Sequence, residues 1–241
     1  MNFKHRENYK MNIERLLIIE PHPDDMILIA GGLVAKISKE GGKVYVVTIT
    51  DGGGASKNSE GDMEFADLRL KVESKKADEI LGVTKREILG YPTRSCYKNG
   101  TEIYESIFKF IRKYQPDLVI TTHKDKKHPD HSWCAERIQE CVFQASENIR
   151  LDYGKPVYAN MWYGEYPRSQ LKKITRLIDI TLTLKQKIDA MAAQKSQIPV
   201  LGERILHDIE VLAAYRAIGL PLEIKYCEAF KEIPVHYKII L

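Results

Sequence analysis

Short apolar runs alternate along this chain with segments whose apolar positions recur at the helical period. Leu16-Leu17-Ile18-Ile19 is a run of strand type. Met26, Ile29, Ala30, Leu33, Val34 and Ile37 then fall at i, i+3, i+4, i+7, i+8 and i+11, one stripe of a helix. Val44 to Ile49 reads as a second strand, and a helix over roughly Phe65 to Leu81 stops at Gly82. Glu87 to Leu89 reads as a third strand. Ile103, Ile107, Phe110, Ile111 and Tyr114 make another helical stripe, Leu118-Val119-Ile120 a fourth strand, and Cys134, Ile138, Cys141, Val142, Ala145 and Ile149 a further helix. Strands rich in Val, Ile and Leu, each followed by an amphipathic helix, predict an α/β fold: a Rossmann-like, mostly parallel sheet with helices on both faces.

Beyond residue 155 the pattern loosens. An aromatic segment (Tyr158 to Tyr163) precedes an alternating stretch at Ile178, Ile180 and Leu182. Two helices follow, the second stopped by Gly219 and Pro221 after Ala217 or Ile218, with a last strand near Ile224 to Ile233. No internal repeat or Pro/Gly/Ser linker divides the chain, so residues 1–241 read as one domain with a flexible polar lead over 1–14.

With 44% hydrophobic residues the chain can form a sizeable core. A net charge of +4, from 37 basic and 33 acidic side chains, is too mild to point to nucleic acid or a membrane surface. The basic stretch from Lys124 to Lys127 carries Asp125 and reads as a solvated loop. No apolar stretch approaches the ~20 residues needed to span a bilayer, and the polar start contains no signal-peptide run. Cys96, Cys134, Cys141 and Cys227 form no Cys-x-x-Cys pair and read as buried thiols, which places the protein in a reduced, cytoplasmic compartment. The oligomeric state is left open, a homo-oligomer included.

Candidate chemistry concentrates in two clusters. Pro21-His22-Pro23-Asp24-Asp25 follows the first strand, and His128-Pro129-Asp130-His131 follows Thr121-Thr122 at the end of the fourth. Both therefore lie at the carboxyl edge of the sheet, where open α/β sheets form their ligand sites. An Asp capping the next helix would explain one acid of the first cluster, but not an imidazole and a second acid beside it. Together the clusters supply His, Asp and His, a mixed nitrogen and oxygen donor set that suits zinc with one position open for water. Acids and bases exceed what three ligands require, which points to catalysis.

Arg69 has two places open to it: an exposed pair with Glu73 at i+4, worth a few tenths of a kcal/mol, or the pocket, where its guanidinium can meet substrate oxygens. The Asp51 to Gly54 loop has neither the Walker A nor the dinucleotide glycine spacing and reads as a turn lining the pocket. Trp162, Tyr163 and Tyr166 suit either sugar stacking or core packing.

These residues resemble the PIG-L/LmbE-like zinc-dependent N-deacetylases, which act on N-acetylglucosamine-type sugars. The resemblance runs through Pro21 to Asp25, Gly31-Gly32, Thr50-Asp51-Gly52, Arg69, Glu73, Ala77, Leu81-Gly82, Gly90-Tyr91-Pro92 and His128 to His131. It continues through Lys187, Ala190, Ser196-Gln197, Tyr226, Glu228 and Phe230. It implies one zinc ion per chain, or another divalent metal, held by His22, Asp25 and His131. Asp24 would then be the general base and a protonated His128 the oxyanion donor. Arg69, Asp51 and Arg94 would line the substrate pocket, and a small-molecule aminosugar would lose its acetyl group. Met26 stands where the family usually has Glu, Thr93-Arg94 where an Asp is frequent, and Gln194-Lys195 where a His is common. These departures bear on the substrate. Alternatives are an amidase or esterase acting on a non-sugar or thiol-conjugate substrate, and a zinc-containing sugar-binding protein without turnover.

Overall fold

Four consecutive apolar side chains place β1 (Arg15–Glu20) at the centre of the molecule. Leu16 and Ile18 face one core layer and Leu17 and Ile19 the other, all four fully buried. Burial of this kind contributes roughly 1.5–3 kcal/mol per side chain. The computed structural model describes residues 13–55, 63–124 and 127–236; most of the polar lead expected over residues 1–14 lies outside them.

Beside β1 run β2 (Lys43–Thr50), β3 (Lys85–Tyr91), β4 (Leu118–Thr122), β5 (Asn160–Gly164), β6 (Arg176–Asp179) and β7 (Cys227–Ile233). They form one seven-stranded sheet in the order β3-β2-β1-β4-β5-β7-β6. Strands β1 to β5 are parallel, while β7 runs antiparallel to both β5 and β6. Buried residues of α1 (Asp25–Lys39), α3 (Ser74–Leu81), α6 (Leu184–Ala193) and, after the short α7 (Ile198–Leu201), α8 (Ile205–Ala217) cover one face. Those of α4 (Gly100–Tyr114) and α5 (Pro129–Ser146) cover the other. Strand order reverses at β1, with β2 on one side and β4 on the other, so a crevice opens at their carboxyl ends.

The expected α/β architecture is present, with differences of detail. The aromatic segment forms β5, with Trp162 packed on Phe230 in the core. The alternating stretch ends at Asp179, and Leu182 is exposed in a turn. The last strand begins at Cys227 rather than near Ile224, because a turn closes from Ile224 N–H to the Pro221 carbonyl. The expected helix over 65–81 is α2 (Met63–Asp67), a π-helical stretch (Leu68–Glu73) and α3. Ser74 Oγ donates to the Arg69 carbonyl there at 2.7 Å. Stretches of this kind are frequent at functional sites. Gly82 ends α3 in the left-handed conformation, as expected of a C-terminal stop. All four thiols are free and buried. Among the described residues no helix is long and apolar enough to cross a membrane.

Buried charge supports α1 from behind. Glu228 accepts the N–H groups of Gly32 and Leu33, each at 2.8 Å, and its partner Lys187 donates to the Leu28 carbonyl at 2.8 Å. Glu73 meanwhile accepts from the N–H and hydroxyl of Ser196 at 2.7 and 2.6 Å.

Candidate metal centre

The loop from β1 into α1 is held from three sides. Thr50 donates from both N–H and hydroxyl to the Pro21 carbonyl, each at 2.9 Å. Glu20, wholly buried, accepts the Met26 N–H at 2.7 Å and so caps the first turn of α1. Glu20 also accepts from Thr48 Oγ1 at 2.6 Å and pairs with Arg86, itself paired with Asp78. Burial lifts the Glu20 carboxyl to about 7 against the pull of Arg86. Since Glu20 caps the helix, the carboxylate of Asp24, the N-cap residue, makes no capping bond. The capping explanation for Asp24 therefore does not apply.

Three donor groups converge in the crevice. His22 Nδ1 lies 3.1 Å from Asp25 Oδ2, His131 Nε2 lies 3.2 Å from His22 Nδ1, and His131 Nε2 lies 3.5 Å from Asp25 Oδ1. Ligands 2.0–2.1 Å from a tetrahedral zinc are separated by about 3.3 Å, so this donor set fits such an ion. His22, His128 and His131 also offer ring nitrogens within 4.8 Å of one another. The structure thus brings together His22, Asp25, His131 and His128, from loops 108 residues apart in sequence.

The surrounding groups orient these donors. His22 Nε2 lies 3.2 Å from Asp130 Oδ2, and Asp130 is fully buried and accepts the N–H groups of Arg94 at 2.7 Å and Cys96 at 3.2 Å. An imidazole backed by a carboxylate has its tautomer set for metal binding through the other nitrogen. Asp130 was visible in the second cluster, but nothing local in sequence gives it this role. Tyr166 donates to Asp25 Oδ1 at 2.6 Å and lies nearly parallel to the His131 ring. Trp162 is buried against Phe230, and Tyr163 donates its hydroxyl to the Ala135 carbonyl.

Charge in the cluster is strongly coupled to burial. Burial opposes a charge on His22, yet Asp130 and Asp25 lift its pKa to about 9. Burial likewise opposes ionisation of Asp25, but His131 and His22 hold it well below the usual carboxylate range. His128 is pushed down to about 4, by burial first and then by the charges of His22 and His131. This direction runs against the expectation of a protonated His128. Its Nδ1 accepts the Asp130 N–H at 3.3 Å, which leaves the proton on Nε2.

Arg69 takes the pocket rather than the exposed pair. Its Nη2 lies 2.9 Å from Asp24 Oδ1 and its Nη1 donates to the Gly52 carbonyl at 2.9 Å, with both side chains buried. Asp51 Oδ1 accepts from Gly53 N–H at 2.9 Å and from the N–H and hydroxyl of Thr93 at 3.2 Å, tying the β2 and β3 loops together. Arg94 adopts a left-handed backbone (φ 69°), and its side chain is exposed.

The PIG-L family profile, described as GlcNAc-PI de-N-acetylase, matches residues 17–142, a span that includes both clusters. A diacetylchitobiose deacetylase of Thermococcus kodakarensis is 28% identical over 83% of this chain and 75% of its own. A probable N-acetyl-alpha-D-glucosaminyl L-malate deacetylase 2 of Bacillus anthracis is 27% identical over 77% of this chain and 82% of its own. Among solved structures, an N,N'-diacetylchitobiose deacetylase from Pyrococcus horikoshii, complexed with its inhibitor MPG, is similar with a TM-score of 0.82. It is 27% identical and covers 95% of this chain and 87% of that one.

Proposed function

Because the chain belongs to the PIG-L family, we propose that it removes the acetyl group from an N-acetylated aminosugar, with one zinc ion held by His22, Asp25 and His131. The observation that carries this reading is the donor triangle of 3.1–3.5 Å beside a carboxylate, Asp24, that no helix cap uses. A divalent ion there would supply Lewis acidity and a water of pKa about 7.

The chain's own groups supply the remaining chemistry. Asp24 accepts the proton of the attacking water and returns it to the departing amine nitrogen, so acetate and the free aminosugar leave. Arg69, 2.9 Å from Asp24, fixes that carboxylate and acts through it rather than on the sugar. His128 offers its Nε2–H as a hydrogen-bond donor to the developing oxyanion; losing one such donor costs ~10²–10³ in turnover. Asp130 holds His22 through Nε2 and keeps its Nδ1 turned toward Asp25 and His131, where it would be one of the groups holding an ion. Arg94 stands one hydrogen bond from Asp130 with its side chain exposed, where it can meet an anionic group attached to the sugar. Asp51 shapes the pocket wall by joining two loops.

The test is acetate release from N-acetylglucosamine, N,N'-diacetylchitobiose and an anionic N-acetylglucosaminide, compared with simple esters and non-sugar amides. Asp24→Asn should keep its zinc and lose most turnover. Cleavage of the esters or amides with no release from any sugar would overturn the aminosugar assignment.

A further inference from the structure

We infer that Tyr166 is a positioning residue of the metal centre, one side chain that sets two of the three ligands. The inference rests on the reading of His22, Asp25 and His131 as those ligands. Its hydroxyl donates to Asp25 Oδ1 at 2.6 Å, and its ring lies 5.2 Å from the His131 ring at an interplanar angle of 7°. Tyr166 is buried, so its position is set by the protein rather than by solvent.

Each contact meets a need of the ligand it touches. A metal-binding histidine ordinarily donates its second ring nitrogen to a carboxylate or carbonyl, which fixes the ring. His22 does this through Asp130. His131 does not: its Nδ1 is buried and has no hydrogen-bond partner among the described residues. Besides the His128 and His22 rings, 4.9 and 5.2 Å away and tilted, the Tyr166 ring is the one parallel to His131 among the described residues, and it supports the plane that turns Nε2 toward His22 and Asp25. Asp25 has the complementary problem. Its Oδ2 faces the N–H and Nδ1 of His22 at 2.9 and 3.1 Å, and without a partner on Oδ1 the carboxylate is free to offer both oxygens to an ion. The phenol proton occupies Oδ1 and favours coordination through a single oxygen.

The phenol is itself fixed. Tyr166 and Ser169 exchange backbone hydrogen bonds at 3.3 Å, and His123, just past β4, places Nε2 2.7 Å from the Ser169 carbonyl. Adjacent strands β1, β4 and β5 thus deliver the ligand loop, the second histidine cluster and the tyrosine to one point.

Titration of the metal-free chain with Zn²⁺ against a competing chelator, and the visible spectrum of the Co²⁺-loaded chain, test the inference. Tyr166→Phe keeps the ring and loses the hydroxyl. It should weaken zinc binding about 10-fold or more and shift the cobalt bands, while the metal-free protein unfolds at nearly the wild-type temperature. Tyr166→Leu, which also loses the parallel ring, should weaken zinc binding further. Wild-type zinc affinity with an unchanged cobalt spectrum in Tyr166→Phe would overturn the inference, as would a fall in melting temperature with no change in affinity. His131→Ala separates the two levels. If it abolishes binding while Tyr166→Phe does nothing, only the tyrosine's role fails. If wild type binds neither ion, the ligand assignment fails with it.

Discussion

Replacing Arg69 with methionine distinguishes the buried pair from the exposed one that the i, i+4 spacing alone would allow. An exposed pair with Glu73 would contribute about 0.2–0.5 kcal/mol. In the structure Arg69 is almost wholly buried, 2.9 Å from an Asp24 whose side chain is 8% exposed, and it also satisfies the Gly52 carbonyl. Removing one member of a buried pair leaves an uncompensated charge and costs about 3–5 kcal/mol. Urea unfolding of the metal-free Arg69→Met variant reads the difference directly. A double-mutant cycle with Asp24→Asn isolates the pair, because loss of the guanidinium strands no charge when position 24 is neutral. The expected coupling is about 1–3 kcal/mol. A cost below about 0.5 kcal/mol, or additivity of the two changes within about 0.5 kcal/mol, would refute the buried pairing and the positioning of Asp24 that depends on it.

Asp130→Asn should retain the fold but weaken zinc binding about 10–100-fold in chelator competition, since His22 loses the carboxylate that orients it; unchanged affinity would show the contact to be incidental. Gly52→Ala should destabilise the protein by at least about 1–2 kcal/mol, because φ is 66° there and a Cβ would overlap the Arg69 guanidinium and approach Pro23 to 2.9 Å. Its turnover should fall as well, and wild-type unfolding and activity together would contradict this. Away from the site, burial acts to raise the Glu87 carboxyl, but bonds from Tyr114, Lys113 and Lys85 carry it down to about 2 from 4.5. A depressed carboxyl pKa contributes stability above the unfolded value that is lost as pH falls from about 4.5 through 2. Glu87→Gln should flatten that part of the acid unfolding profile, and an unaltered profile would exclude the contribution.

What the sequence reveals here depends on how far a cause reaches along the chain. Strands β1, β2 and β4 and helices α1, α4 and α5 follow from periodicity, because burial on both faces writes itself into consecutive residues. Both histidine clusters are legible for the same reason: prolines, imidazoles and acids stand side by side. Their supports are not. Glu20 ends an apolar strand and carries no local signal, yet it takes over the capping that Asp24 seemed suited for. Arg69 and Glu73 are spaced as partners but turn to Asp24 and Ser196, both far away in sequence. The π-helical stretch that carries them has no compositional signature. Tyr166 stands just beyond the aromatic segment, is suited to packing as well as chemistry, and comes to His131 through the parallel pairing of β4 with β5.

Charge balance gives a physical reason for a divalent ion at this point. Asp24, Asp25 and Asp130 place three carboxylates in one buried crevice, and among the described residues Arg69 is the arginine or lysine paired there, with Asp24. With the imidazoles neutral, two negative charges remain uncompensated in a region where isolated charge is expensive. Without an ion the protein meets part of this demand by protonating His22, which is why Asp130 and Asp25 raise that group to about 9 despite its burial. A proton supplies only one charge and occupies the nitrogen that the other donors face. A divalent cation supplies both charges and is met by donors already spaced 3.1–3.5 Å apart. Binding should therefore release a proton from His22, so that zinc affinity rises with pH up to about 9. Chelator competition at a series of pH values measures this, and an affinity that stays flat from neutral pH to about 9 would refute the coupling. His128, held neutral at about 4, has no proton to give up and remains available as a donor of hydrogen bonds. Burial and the neighbouring histidines, against the pull of Asp130 and Asp25, set His128 apart in this way, whereas the same two acids raise His22.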